Sequence, residues 1–302
     1  MKNSRKITII LISMALYLGI GTSHAQQAEI PIYKNPVYPV KQRIDDLISR
    51  MTLEEKAGQL NMPCLYVEEM GKNIETKTEG CRRFVEGVIE KGIGPGGGLF
   101  DVANEILGSK SAGQQADYFN ELQKIALEKT RLGIPLIQIE EGCHGFMCAG
   151  GTVFPEGLAI GSTFNMDLVK RIYGVAAKEA RSTGIHLLCT IVIEPNRDPR
   201  MGRGEEGYSE DPYLCSRIAE NITKTMQGYD ISGKENVVAA FTNFPGQIEP
   251  ASGLERGAME ISERKLREIF LPPWIAAVKK QGALAVMAGY PSVDGVAVHA
   301  SD

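Results

Sequence analysis

Two hydrophobic periods alternate along the chain. In residues 165–182, Leu168, Val169, Ile172, Val175 and Ala176 recur at three- and four-residue intervals, which gathers them on one helix face. Residues 42–51, 52–60, 111–131, 211–227 and 262–280 read as helices too, the last interrupted by Pro272-Pro273. Thr52-Leu53-Glu54-Glu55 has the form of a capped first turn. Between the helices lie short apolar runs: the glycine-rich 92–100, then 136–139 after Gly133-Ile134-Pro135, then 186–193, 236–244 and 283–290. Runs that are apolar on both faces are strands of a parallel sheet covered by helices on both sides.

Polar groups cluster where these strands end. Glu140-Glu141 follows one strand, the segment 194–211 the next, Thr242-Asn243 a third and Tyr290 a fourth. The carboxyl ends of the strands are where a (β/α)8 barrel builds its active site. The expected fold is therefore α/β, of the TIM-barrel type and incomplete: about six β/α units are legible where the closed barrel has eight. No glycine fingerprint opens a helix, so a dinucleotide-binding fold has no support.

Composition narrows the function classes. The chain has 302 residues, 43% hydrophobic and 23% charged, as in a soluble globular protein. Its formal net charge of −4 excludes a basic nucleic-acid surface. Residues 1–25 read as a secretory signal peptide: Lys2, Arg5 and Lys6 precede an apolar run, and Ser23-His24-Ala25 forms a small-residue cleavage site. Removing these three cations and no acids takes the net charge from −4 to −7. Residues 26–39 are a lead-in, and the barrel domain is expected over 40–302. No span crosses a membrane after cleavage, and the protein is expected in the periplasm or outside the cell. Cys64, Cys81, Cys143, Cys148, Cys189 and Cys215 show no CxxC pairing and read mostly as free, buried thiols. His144, His186 and His299 have no metal-ligand spacing, so no metal and no cofactor is expected.

The densest cluster is "NRDPRMGRGEEGYSEDPYL", residues 196–214. Its three arginines and five acids are close enough to pair, so a strand-end ion-pair loop is one reading. In the other, one arginine leaves the set for a ligand's hydroxyls. Arg203 is best placed, because Gly202 and Gly204 let backbone and ligand approach closely. In "EEGCHGFMCAGGTVFPEGLAIGSTFN", residues 140–165, Glu141 can accept hydrogen bonds from neighbouring hydroxyls of a sugar. Alternatively, Glu140 or Glu141 caps the turn and His144 packs as a satisfied histidine.

Four stretches carry a resemblance: "GCHGFMCAGGTVFPEGLAIGSTFNMDLVKRIYGVAAKEARSTGIH", "RDPRMGRGEEGYSEDPYL", "ISERKLREIFLPPW" and "VMAGYPSVDGVAVHASD". In this order they resemble the amino-terminal barrel domain of glycoside hydrolase family 3, the β-glucosidase family. The resemblance implies that Glu141 binds hydroxyls of the non-reducing sugar. It implies that Arg203 is the arginine closing the family's Arg-Asp-Pro-Arg-Trp-Gly-Arg run, with Met201 in place of tryptophan. Tyr290 matches the tyrosine of the strand before the nucleophile strand.

Two departures accompany these matches. Where the family carries Lys-His-Phe, this chain has Thr242 and Asn243 before Phe244, shorter and neutral, so the sugar grip is expected to be weaker or differently directed. The family's aspartate nucleophile lies on the strand after Tyr290's, and its general acid is commonly supplied by a later domain. No residue here is assigned either role, although retaining hydrolysis needs two carboxyl groups roughly 5–5.5 Å apart. The resemblance thus implies an exported hydrolase of β-linked glucosides that needs no cofactor. Its substrate is a small-molecule or oligosaccharide β-glycoside, and this chain alone is expected to be inactive, with a carboxyl-terminal part or domain as its missing partner. The alternative is a non-catalytic sugar-binding or interaction protein derived from the same fold.

Overall fold

A computed structural model describes residues 30–89 and 93–301. The expected signal peptide, residues 1–25, and Asp302 lie outside the described residues. The chain divides after Met51 into two compact units. In the first, the helix Val40–Arg50 follows a single 3₁₀ turn, Ile32–Lys34. Asp46 joins the two: its carboxylate accepts from Tyr33 N at 3.0 Å and from Arg50 Nε at 3.0 Å.

The second unit begins at Thr52 and contains the sheet. Five parallel strands stand in sequence order: β1 Gly98–Phe100, β2 Ile137–Glu141, β3 Leu187–Ile191, β4 Val238–Phe244 and β5 Ala285–Ala288. About six units were expected, and the described residues form five parallel strands; beside β1 there is in addition one parallel bridge, Cys64 to Phe100. There Phe100 N donates to Pro63 O and Leu65 N to Phe100 O, each at 3.2 Å. Pro63 has no N–H to extend that ladder, so pairing stops at a single bridge. The sheet is open, with helices between successive strands, in the TIM-barrel-type architecture. Among the described residues, no helix is long and apolar enough to cross a membrane.

Local chemistry sets most element boundaries. Thr52 and Glu55 form a complete capping box on the helix Leu53–Gln59. Asn165 Oδ1 accepts from Asp167 N and Leu168 N at the start of Met166–Thr183, which ends at Gly184 with φ 101°. Asp211 caps Pro212–Gln227, where Pro212 occupies the first turn and loses no internal hydrogen bond. In Met166–Thr183 the buried face is Val169, Ile172, Tyr173, Ala176, Ala177 and Ala180, rotated from the expected one; Val175 is exposed. Tyr173 sets the rotation. Its hydroxyl donates to Cys143 O at 2.8 Å and meets the buried Tyr208 hydroxyl, so its ring must turn inward. Burying each large apolar side chain on that face contributes about 1.5–3 kcal/mol.

The expected interruption at Pro272-Pro273 is not a break. The helical run 263–280 continues through both prolines but widens to π-helical turns at Leu266–Phe270 and Ile275–Lys280. Proline removes a donor and crowds the carbonyl four residues back, and a wider turn relieves both. The helix Ile74–Glu86 was not expected from its spacing, although Asn73 and Thr76 cap it reciprocally.

Candidate active site

Alternation along β2 sends adjacent carboxylates to opposite faces. Glu140 points to the helix-covered side, fully buried, and accepts from Ala103 N at 2.7 Å. Burial raises its carboxyl well above the ordinary range. Glu140 therefore holds a turn, and Glu141, half-buried, faces the other way in register with Cys189 of β3. His144 turns into its own loop, with Nδ1 2.8 Å from Phe154 O and Nε2 3.1 Å from Glu156 Oε1.

In the stretch after β3, Asp198 caps the 3₁₀ turn Pro199–Met201 and binds Arg200 through Nε at 2.9 Å and Nη2 at 2.5 Å. That pairing holds the Asp198 carboxyl down at about 2. Arg203 donates from Nε and Nη2 to Glu206 and from Nη1 to Glu255, at 2.7, 2.6 and 2.9 Å. Three of its five N–H donors are thus engaged in the ion-pair loop. A cavity of about 670 Å3 lies behind this stretch, lined by Arg197, Gly202, Gly204, Tyr208 and Phe164 among others; none of the five candidate residues lines it.

Thr242 and Asn243 occupy an irregularity of β4. Phe241 pairs with Val286 and Phe244 with Ala288, so three steps on β4 match two on β5 and one residue is extra. Asn243 absorbs it with φ 73°, a left-handed conformation that asparagine tolerates better than most residues. Alternation turns Thr242 away from Phe241, whose ring is in the main core. Both polar side chains are buried, and Thr242 Oγ1 and Asn243 Oδ1 make no hydrogen bond within the described residues.

Tyr290, 40% exposed, follows β5. Its backbone N–H donates to Gln247 Oε1 at 3.3 Å, and the Arg256 guanidinium lies 4.6 Å from its ring centre. Arg256 follows Glu255, the second partner of Arg203, so one loop after β4 touches both Arg203 and Tyr290.

The key support of the loop after β4 is Glu194. It lies three residues after β3, fully buried, and its Oε1 accepts from Gly246 N at 2.6 Å and Trp274 Nε1 at 2.9 Å. Burial raises its carboxyl to about 7, against hydrogen bonds from Gly246, Trp274, Gln247 and Ile248 that lower it. It braces the loop after β4. Glu255, Gln247 and Trp274 escaped sequence reasoning, since each acts across 43 to 80 residues of chain.

The strand ends and the loops after them carry one half-buried carboxylate, two neutral polar side chains, a partly engaged guanidinium and an aromatic ring. Glu194, Glu206 and Glu255 are committed to bracing. Side chains of these types can donate to and accept from hydroxyl groups.

Cys64, Cys81, Cys143, Cys148 and Cys215 carry free thiols, with Cys81 and Cys215 buried and the other three half-buried. Burial pushes the Cys64 thiol up to about 11 and those of Cys81, Cys143 and Cys215 to about 12, so they stay protonated near neutrality.

Residues 52–302 match the glycosyl hydrolase family 3 N terminal domain. A putative beta-xylosidase of Formosa agariphila is 33% identical over 300 residues, covering 97% of this chain and 37% of the relative. A periplasmic beta-glucosidase of Salmonella typhimurium is 28% identical over 283 residues, covering 92% of this chain and 33% of the relative. The structure of a β-glucosidase from Erythrobacter marinus superposes with a TM-score of 0.73 at 27% identity, over 88% of this chain and 34% of that one. The chain spans about a third of the length of these relatives.

Proposed function

The chain belongs to glycoside hydrolase family 3, through its N-terminal domain, and from that premise we propose that it is the sugar-holding barrel segment of an exported β-glycosidase of the β-glucosidase type. The observation that carries the proposal is the buried pair Thr242–Asn243 at the end of β4, with two polar atoms that have no partner within the described residues, on a sheet that also ends in Glu141. Buried polar atoms are costly unless bonded, and the hydroxyls of a sugar supply both donors and acceptors. Glu141 accepts from adjacent hydroxyls, the remaining Arg203 donors reach another edge of the ring, and Tyr290 offers it an apolar wall. In the complete enzyme a nucleophile and an acid perform double displacement on a β-linked glucoside, without a cofactor. Residues 1–25 direct export to the periplasm or beyond.

NMR titration of the purified chain with glucose tests the sugar site. Millimolar binding, near −4 kcal/mol, is expected and should be lost in Glu141→Ala. Binding indifferent to Glu141→Ala removes the basis of the proposal. A second reading, a non-catalytic sugar-binding protein, is favoured by one feature: neutral Thr242 and Asn243 stand where the family carries two cations. Release of nitrophenol from an aryl β-glucoside by the full-length gene product decides between them.

A further inference from the structure

The sequence shows no metal-ligand spacing, yet the loop between β2 and the short helix Gly157–Gly161 folds back on itself. One ligand atom each from Cys143, His144 and Glu156 comes within 4.8 Å of the other two. From this cluster we propose that the chain holds a divalent ion of the zinc class through Cys143 Sγ, His144 Nε2 and a Glu156 carboxylate oxygen, with water in a fourth position.

The imidazole carries the argument. His144 Nδ1 lies 2.8 Å from Phe154 O, a group that only accepts, so Nδ1 bears the hydrogen. Nε2 faces Glu156 Oε1, another acceptor, at 3.1 Å. Two lone pairs at that separation repel unless a cation lies between them. In a tetrahedral zinc site, nitrogen and oxygen at their usual bond lengths stand roughly 3.3 Å apart, so the pair is already spaced for a shared ion. A backbone carbonyl on the second ring nitrogen is also the usual outer support of a metal-bound histidine. The other Glu156 oxygen, Oε2, is buried and has no partner within the described residues.

The surrounding field agrees. The carboxylates of Glu156, Glu206 and Glu141 place negative charge around Cys143. A negative field that opposes a thiolate favours a dication, and the dication supplies the charge that releases the proton. Binding sends one proton from Sγ to solvent and forms bonds from sulfur, nitrogen and oxygen to the metal, with no change of oxidation state. All three side chains are half-buried, within reach of solvent.

The test is titration of the reduced full chain with cobalt(II), then zinc. A thiolate-to-cobalt charge-transfer band with intense visible bands of tetrahedral cobalt is expected, both erased by zinc. Cys143→Ser should remove the charge-transfer band and weaken binding at least about tenfold. Glu156→Gln, at a more exposed side chain that threatens the fold less, should keep the band and weaken binding by a similar factor. The proposal is overturned if the wild type gives no band, or if the band survives Cys143→Ser. Affinity unchanged in Glu156→Gln overturns it too, and leaves a proton on His144 as the cation between the two acceptors.

Discussion

Arg203 and Glu206 close a two-point fork, Nε to Oε1 at 2.7 Å and Nη2 to Oε2 at 2.6 Å. The same guanidinium reaches Glu255 in the loop after β4, so it clips two strand-end loops together. Its side chain is 23% exposed, so water screens the pairs only in part.

Removing the clip should therefore be measurable. Hydrogen bonds to charged groups contribute roughly 1.5–3 kcal/mol. Arg203→Ala is expected to lower unfolding free energy by about 2 kcal/mol in urea titration, and a double-mutant cycle with Glu206→Ala should show coupling of about 1 kcal/mol. The proposed sugar role predicts, in addition, that Arg203→Ala abolishes glucose binding by NMR. Binding that persists leaves Arg203 as a clip alone.

Glu194 gives a pH dependence of defined sign. Its folded value of about 7 lies above its ordinary 4.5, so the folded state keeps a proton that the unfolded chain has released. Its contribution is most favourable below pH 4.5, declines as pH rises towards 7 and is level above that, a loss on the order of 3 kcal/mol. Burial raises Asp101 to about 6, with the same sign, so the informative quantity is the difference between wild type and Glu194→Gln. The variant should show a flatter decline in stability between pH 5 and 7. Equal slopes would mean that Glu194 does not titrate in this window.

Asn243 should tolerate glycine and reject β-branched residues. At φ 73°, glycine fits without a steric penalty, whereas valine meets the left-handed strain of roughly 1–2 kcal/mol. Thermal unfolding of Asn243→Gly near the wild type, with Asn243→Val clearly lower, is the expected order. The reverse order would place the bulge elsewhere.

Restoring the family's cations should tighten the proposed sugar site. Histidine, like asparagine, is enriched in left-handed conformations, so Asn243→His suits the bulge. Combined with Thr242→Lys in a full-length version, it is expected to lower the glucose Kd at least about tenfold, equivalent to about 1.4 kcal/mol. An unchanged Kd would show that the end of β4 does not contact the sugar.

What the sequence determined by itself is local. The caps at Thr52, Asn165 and Asp211 are decided by a side chain within three residues of the N–H it satisfies. Strand runs and the polar groups at their ends follow from spacing, because alternation is a property of one segment, and the parallel sheet followed from that order. Tertiary structure decided what depends on two segments meeting. Glu255 lies 52 residues from Arg203, and Trp274 lies 80 from Glu194. The bulge that turns Asn243 left-handed exists only in register with β5. The Cys143–His144–Glu156 cluster needs a loop closed on itself, and the face of Met166–Thr183 was turned by Tyr173 bonding to Cys143 O. Side-chain spacing records the period of one segment; the energy that selects a partner, a register or a rotation is released only when packing brings distant segments into contact.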